Sequence, residues 1–377
     1  MQNRLLLFLR CPTCGEELHV MAPAEPGEEV RSALLTCANA HWFPVVRGIP
    51  RMLPDSLQEH WTTVEPLLSA LPPDRADSVR RGVSPAAAEY DRRTKENFSL
   101  EWDFHEVGDA TWGIELDARV TKYLVNPIGV PRAELAGKIL LDAGCGNGSQ
   151  SVAYTELGLE VIALDLSSGL EHGLKFIDRR PNADPRRVHF VQGDLQHPPL
   201  ADACVDIIHS AGVLHHTPDT QGTFRRLCRV LKPGGTFYIW LYKREEGVTT
   251  VVDSLRQVTT RMRPATFARV AGVMAPAFQL FRYGANALKW RSYPPTTRRE
   301  AALALMDIFG APHAHAHSFP EVTAWYEEEG FAEVWPCNDD RRGFGACGRL
   351  PVEAETPRSF AVVATPSPAA QENDRQG

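Results

Sequence analysis

Between Ile139 and Gly148 the chain reads Ile-Leu-Leu-Asp-Ala-Gly-Cys-Gly-Asn-Gly, an apolar run that ends in an acid and is followed by three glycines at alternate positions. The apolar run predicts a strand buried in a parallel sheet. The glycines predict a sharp turn, because only glycine takes positive φ freely and lets a ligand touch the backbone. Ser149 to Leu157 then has a helical pattern. Strand, glycine turn and helix in that order open a crevice at the carboxyl end of the strand, where doubly wound sheets bind nucleotides.

The spacing G-x-G-x-G differs from the dinucleotide fingerprint G-x-G-x-x-G, and a glycine cluster alone is weak evidence. The segments that follow extend it. Glu160 to Leu166 predicts a second strand ending in Asp165, whose carboxylate can accept both hydroxyls of a ribose. Arg187 to Val191 predicts a third, followed by Gly193-Asp194-Leu195. Val205 to Ile208 predicts a fourth, introduced by Asp206 and followed by Ser210-Ala211-Gly212-Val213-Leu214-His215-His216. Leu231-Lys232-Pro233-Gly234-Gly235 ends a helix and opens a fifth strand, TFYIWLY.

In order, LDAGCGNG, the ALD strand end, QGDL, the LHH segment and LKPGG resemble the class I S-adenosylmethionine-dependent methyltransferases, especially the group that includes the quinone C-methyltransferases. The resemblance is strong over 137–245 and weaker over 318–366. It implies an α/β fold: a Rossmann-like sheet with helices on both faces and S-adenosyl-L-methionine as cofactor. Gly144, Gly146 and their neighbours would face the methionine part. Asp165 would hold the ribose, and Asp194 and Leu195 would lie at the adenine. Asp142, Leu166 and Ser210 complete the expected cofactor set.

The amino-terminal segment carries a second pattern. Cys11-Pro12-Thr13-Cys14 is followed after 22 residues by Cys37-Ala38-Asn39-Ala40-His41, with a hairpin pattern between. Two close pairs of thiolate and imidazole ligands suit a tetrahedral structural Zn2+ site. A segment this small buries little core, so a metal would supply stability. Residues 1–55 therefore read as a zinc-ribbon-like β domain held by Cys11, Cys14, Cys37 and His41. The segment resembles the zinc ribbon associated with tRNA and protein methyltransferases, and the finger preceding certain ribosomal-RNA guanine methyltransferases. That raises RNA as a substrate. Its five basic and six acidic side chains argue against a phosphate footprint, as does the net charge of −7 on the whole chain. Gly48 to Leu53 reads as the segment that docks the ribbon on the catalytic domain.

The 377 residues hold eight cysteines and no apolar run long enough to span a membrane. The expectation is a cytoplasmic protein with thiols or metal ligands rather than disulfides. Residues 56–86 read as a linker, and 87–245 as the cofactor-binding core with an amino-terminal cover. Residues 246–317 read as a helical lid insertion with breaks at Pro264, Pro276 and Pro294-Pro295. Residues 318–366 read as the last part of the core and 367–377 as a disordered tail. In the cover, Trp102 and Trp112 are expected to line the acceptor pocket. In the lid, nine Lys or Arg and no Asp or Glu lie between Arg256 and Arg299. This predicts an anionic, lipid-like or carrier-bound acceptor, and suits peripheral membrane contact. The lid ends in an alternating histidine run. The methyltransferase resemblance suggests that His313 or His317 reaches the acceptor.

Methyl transfer from a sulfonium needs a base only if the nucleophile arrives protonated. His215, and after it His216, are the expected candidates. The leading function is methyl transfer to O, N or C of a small biosynthetic intermediate. An RNA base methyltransferase and a non-catalytic cofactor-binding scaffold are the alternatives.

Overall fold

A computed structural model describes residues 1–22, 29–82, 91–105, 110–111, 113–244, 249–287, 297–340 and 342–352. Trp112, residues 288–296 of the lid (with Lys289, Arg291 and Pro294-Pro295) and the tail beyond 352 lie outside the described residues.

Among the described residues two sheets organise the fold. The first is antiparallel, in the order β1 (His19–Ala22), β2 (Ala33–Thr36), β3 (Trp42–Val46) and β4 (Ile49–Pro50). The second contains β5 (Ile139–Ala143), β6 (Glu160–Asp165), β7 (Val188–Gln192), β8 (Val205–Ala211), β9 (Leu231–Tyr242), β10 (Glu333–Asp339) and β11 (Gly343–Arg349). Its order is β10-β11-β9-β8-β5-β6-β7, with β5 to β9 parallel and the last two strands antiparallel. The apolar runs of β6 and β7 are buried throughout, as strands covered on both faces must be. Chain direction across the sheet reverses between β5 and β8, so the crevice lies at their carboxyl ends.

Strand boundaries shift by one residue in β6 and β7 and by more in β8 and β9. β8 extends to Ala211, which brings Ser210 inside the strand. β9 starts at Leu231, so Lys-Pro-Gly-Gly lies within it. Val205 pairs with Leu231 but Ile207 pairs with Thr236, and the intervening residues bulge from the ladder.

The ribbon adds to the edge of the large sheet. Arg51 bridges Gln192 of β7 in parallel, and the Met52 amide donates to the Gln192 carbonyl at 2.7 Å. Leu5, Leu9, Leu35 and Met52 share one apolar cluster with Leu164, Val191 and Leu200. The segment read as a linker, whose sequence suggests one helical patch around Trp61 to Leu71, is largely helical: Pro73–Gly82 and three shorter turns put Leu57, Val64, Leu68, Leu71 and Val79 against Leu34 and Trp42 of the ribbon. A segment with that much apolar surface packs rather than spans.

The lid comprises helices Thr249–Thr259, Pro264–Ala287 and Arg298–Leu305. Phe267, Ala271, Leu305 and Met306 pack with Leu100 and Phe104 on and beside the cover helix Arg92–Trp102. Pro264 starts a helix, whereas Pro276 does not break one. Proline removes the hydrogen bond to the carbonyl four residues back, and here the Arg298 guanidinium donates to that Gly272 carbonyl at 3.3 Å. Among the described residues no helix is long and apolar enough to cross a membrane.

Arg51 is 1% exposed and donates to Gln192 Oε1 at 3.1 Å and Glu171 Oε1 at 2.5 Å. Removing Glu171 leaves this cation at the seam without its counter-charge. The Glu171 side chain is 31% exposed, so the expected cost of Glu171→Ala is moderate, about 1–3 kcal/mol. A urea titration checks it, with Arg51→Met expected to cost less because no orphaned charge remains.

Candidate active site

At the switch point a cavity of about 410 Å3 opens between the Gly144–Gly148 turn, the segment after β8, the cover helix and the lid. Gly144 and Gly146 have φ of 86° and 59°. A Cβ at Gly144 would lie 2.3 Å from Val213, and one at Gly146 would lie 2.3 Å from the Trp102 indole. The glycines are thus required by packing as well as by backbone conformation.

Asp165 ends β6 on the cavity wall. Its Oδ2 accepts from the Gly146 amide at 2.7 Å, and its Oδ1 accepts from the Ser167 amide and hydroxyl, each at 2.7 Å. A carboxylate has about four acceptor positions, so one, on Oδ2, remains for a hydroxyl. The expectation that it accepts two ribose hydroxyls therefore requires the Gly146 amide to let go. Burial raises the Asp165 pKa, and the Ser167 and Gly146 hydrogen bonds offset that only in part.

Leu166, Asp194 and Leu195 also line the cavity. Asp194 Oδ1 accepts from the Gln196 amide at 2.8 Å. Asp142 reaches the wall, but its oxygens are taken by Ser151 Oγ at 2.5 Å and His209 Nδ1 at 3.0 Å. Ser210 is not in the lining: it is fully buried, and its hydroxyl donates to the Ala143 carbonyl at 2.9 Å, tying β8 to β5. Trp102 covers Gly146 and Gly169, on the glycine-turn side of the cavity rather than among the histidines.

The other end holds His215 and His216. His215 is fully buried, stacks on Tyr242 at 3.9 Å, and neither ring nitrogen has a hydrogen-bond partner among the described residues. Burial first, then the neighbouring histidines, push its pKa well below the ordinary value, so the ring is neutral with an available lone pair. His216 is differently placed. Its Nδ1 lies 2.7 Å from the His313 carbonyl and must donate; its Nε2 lies 3.3 Å from Asp307 Oδ1. Tyr242 donates to the other Asp307 oxygen at 2.5 Å. Burial acts to raise the Asp307 pKa, but the hydrogen bonds and charge of His216 and the Tyr242 hydroxyl hold it below the usual range. His216 Nδ1 is committed to the His313 carbonyl and its Nε2 lies beside Asp307 without a well-formed hydrogen bond, whereas both nitrogens of His215 are unshared, which makes His215 the first candidate for the base.

His313 and His317 do not line the cavity. The His313 ring pairs with Asp91 at 2.7 Å, the residue that caps the cover helix, and only its backbone carbonyl reaches His216. His317 pairs with Glu321 at 2.8 Å within the capping box of the helix Phe319–Glu328, edge-on to Trp325. Each carries a carboxylate partner that holds it in the scaffold. Of the basic island, Arg282 lines the cavity, while Arg256 donates to the Ile308 and Ala311 carbonyls.

Glu101 and Arg119 are among the cavity residues that the sequence did not single out, as are His209, Tyr242 and Asp307. Glu101 is 2% exposed, and its Oε2 has no partner among the described residues. Burial, then the charges of Asp307 and Asp165, raise its pKa well above the usual range, which makes it a neutral acid on the wall. Arg119 buries its guanidinium beside Gln150. An acid among the aromatics of the cover helix was the only available signal for Glu101.

In the ribbon, Cys11 Sγ and Cys37 Sγ each lie 3.4 Å from His41 Nδ1, Cys14 Sγ lies 3.7 Å from Cys37 Sγ, and all four ligand atoms fall within 4.8 Å of one another. Tetrahedral ligands at ordinary zinc distances are about 3.5–3.8 Å apart, so the donor set fits.

Residues 141–239 match the family described as Methyltransferase domain. The strand order and the parallel run β5 to β9 are those of a Rossmann-like sheet, and this stretch of it is similar to a methyltransferase domain. A sterol 24-C-methyltransferase of Aspergillus fumigatus is 28% identical over 185 residues, covering 44% of this chain and 46% of that protein. A malonyl-[acyl-carrier protein] O-methyltransferase of Serratia marcescens is 39% identical over 99 residues, covering 26% and 36%. The chain thus spans less than half the length of either relative. The crystal structure of Burkholderia thailandensis 1,6-didemethyltoxoflavin-N1-methyltransferase aligns with 71% of this chain and 92% of that one at 17% identity and a TM-score of 0.41, too loose to bear on function.

The buried Glu101 makes stability depend on pH. Its folded pKa exceeds its unfolded one, so the unfolded state binds fewer protons once pH passes the ordinary glutamate value, about 4.3. Stability then falls as pH rises toward the folded pKa. Glu101→Gln removes that loss. Its melting temperature is expected to exceed that of the parent at about pH 8, with the gap closing toward about pH 4, as scanning calorimetry would measure.

Proposed function

We propose that the chain transfers a methyl group from S-adenosylmethionine to O, N or C of a small-molecule acceptor that is partly hydrophobic and carries an anionic group. The observation that carries this reading is the pairing, in one cavity, of the Gly144–Gly148 turn with its Asp165 acceptor position and a neutral, unshared His215. When bound, the cofactor supplies an activated methyl group. The chain's own residues then orient, desolvate and take a proton. The glycine turn, Asp165, Leu166, Asp194 and Leu195 hold the cofactor. Asp142 acts through Ser151 and His209 to keep the turn in place. His215 accepts a proton from a hydroxyl or acidic carbon, and Asp307 with Tyr242 orients His216 beside it. Arg119 and Arg282 on the wall favour an anionic acceptor. The relatives named for a sterol and for a malonyl-carrier acceptor agree with a partly hydrophobic or acidic one. The neutral-to-acidic ribbon gives no support to the RNA reading. A cytoplasmic location and a structural Zn2+ on Cys11, Cys14, Cys37 and His41 belong to the same proposal.

Calorimetry with S-adenosylmethionine is the first test. Gly146→Leu is expected to abolish binding, since its side chain must enter the space between the turn and Trp102. Asp165→Ala is expected to weaken binding by about 1–3 kcal/mol. Unchanged affinity in the leucine variant would sink the cofactor assignment. Product formation is then screened over small-molecule, carrier-bound and RNA acceptors. His215→Ala is expected to lower kcat about 10²- to 10⁴-fold for an acceptor that must lose a proton, with cofactor affinity unaltered. Methylation of RNA alone would replace this reading.

Elemental analysis should find one zinc per chain. Cys14→Ser is expected to release it and raise hydrogen exchange in the ribbon more than in β5 and β6. Reduced, freshly purified protein without zinc would refute the metal assignment.

A further inference from the structure

The lid helix Pro264–Ala287 is apolar on two opposite faces. One face buries Phe267, Ala271, Ala275 and Ala285, and from it Arg282 lines the cavity. On the opposite face Val273 is 78% and Leu280 73% exposed, flanked by Met274 at 51% and Phe281 at 49%. The spacing of Val273 and Leu280, with the small exposed Ala277 and Gly284 between and beyond, is i, i+4, i+7, i+11, a continuous stripe along the helix. The neighbouring lid helix adds Leu255 and Val258, 50% and 62% exposed. Of nine large hydrophobic residues exposed among the described residues, seven lie on these two helices, the seventh being Tyr283. Scattered exposed apolar residues need no explanation, but a contiguous stripe does.

Charge selects the occupant. Arg261, Arg263 and Arg269 are exposed on and beside the first half of the same helix, and no Asp or Glu occurs in the sequence between Asp253 and Glu300. A second copy of this chain would set arginines against arginines across a two-fold axis. An aliphatic stripe with flanking arginines instead matches the interfacial region of a bilayer that carries anionic headgroups. The large apolar side chains outnumber the exposed arginines, which favours hydrocarbon over the polar surface of an acidic protein.

We infer that the outer face of the lid docks on an anionic membrane surface, with Val273, Met274, Leu280 and Phe281 entering the headgroup–acyl boundary and Arg261, Arg263 and Arg269 meeting lipid phosphates. This goes beyond the methyl-transfer reading and does not depend on it.

Vesicle flotation of the full chain tests it. Binding is expected to vesicles of phosphatidylglycerol and phosphatidylcholine, to be much weaker on phosphatidylcholine alone, and to fall with salt. Val273→Asp with Leu280→Asp is expected to reduce binding at least tenfold, with circular dichroism, melting temperature and S-adenosylmethionine affinity retained. Changing Arg261, Arg263 and Arg269 to Gln is expected to remove the salt dependence. Absence of vesicle binding by the parent protein overturns the inference, as does equal binding by the aspartate variant. A dimer in light scattering that Leu280→Asp dissociates would make the face a contact between copies. Retention by an acidic carrier protein without vesicle binding would make it a protein-docking face. Either result also overturns the inference. Because cofactor affinity is measured separately, failure here leaves the methyl-transfer reading standing.

Discussion

The parallel pairing of β8 with β5, Leu140 against Ile207 and Asp142 against His209, sets both ends of the cavity. It lies where the strand order reverses, so the turns that leave the two strands diverge and leave a crevice. Polar links lock the register across the seam: His209 to Asp142, and the Ser210 hydroxyl to the Ala143 carbonyl. A one-residue slip would turn these groups to the opposite face and into apolar packing. With the seam locked, the glycine turn and the two histidines face one space.

Around that space, buried acids are satisfied in different ways. Asp142 and Asp165 are held by donors close in the fold to the strand ends. Asp307 comes from the lid and is held by His216 and Tyr242. A carboxylate removed from water is stable only with its hydrogen bonds made, so the packing of the lid and the orientation of His216 are linked. The His313 carbonyl and the His313–Asp91 pair extend that link to the cover helix. Glu101 has no such partner for one oxygen and stays protonated instead.

The ribbon shows how a small domain gains core by sharing it. Its sheet is too small to bury much by itself. It places Leu5, Leu9 and Met52 against the edge of the large sheet, and the helices after it cover its other face. Within it the Cys11–Cys14 and Cys37–His41 turns meet, with their four donor atoms within 4.8 Å of one another.

Much of the sheet was legible because each strand is an apolar run bounded by glycine, proline or an acid, patterns that depend on neighbours in sequence. The clustering of Cys11, Cys14, Cys37 and His41 was legible for the same reason, as Cys-x-x-Cys places two thiols on one knuckle. The glycine turn, Asp165 and the histidine pair could be read because they follow strands directly. What sequence spacing could not decide was which side chains meet across long separations. The pairing of His216 with Asp307 spans 91 residues and that of Asp91 with His313 spans 222. Those contacts exist only once the lid has folded over the cover helix. They took His313 into the scaffold and set the His216 ring between the His313 carbonyl and Asp307, while placing Glu101 on the cavity wall. A titratable side chain gains its protonation state from burial and from charges a few ångströms away. The sequence therefore determined the sheet, its turns and the ligand-type residues, and the tertiary packing decided which of them have an unshared lone pair, a counter-charge or a proton.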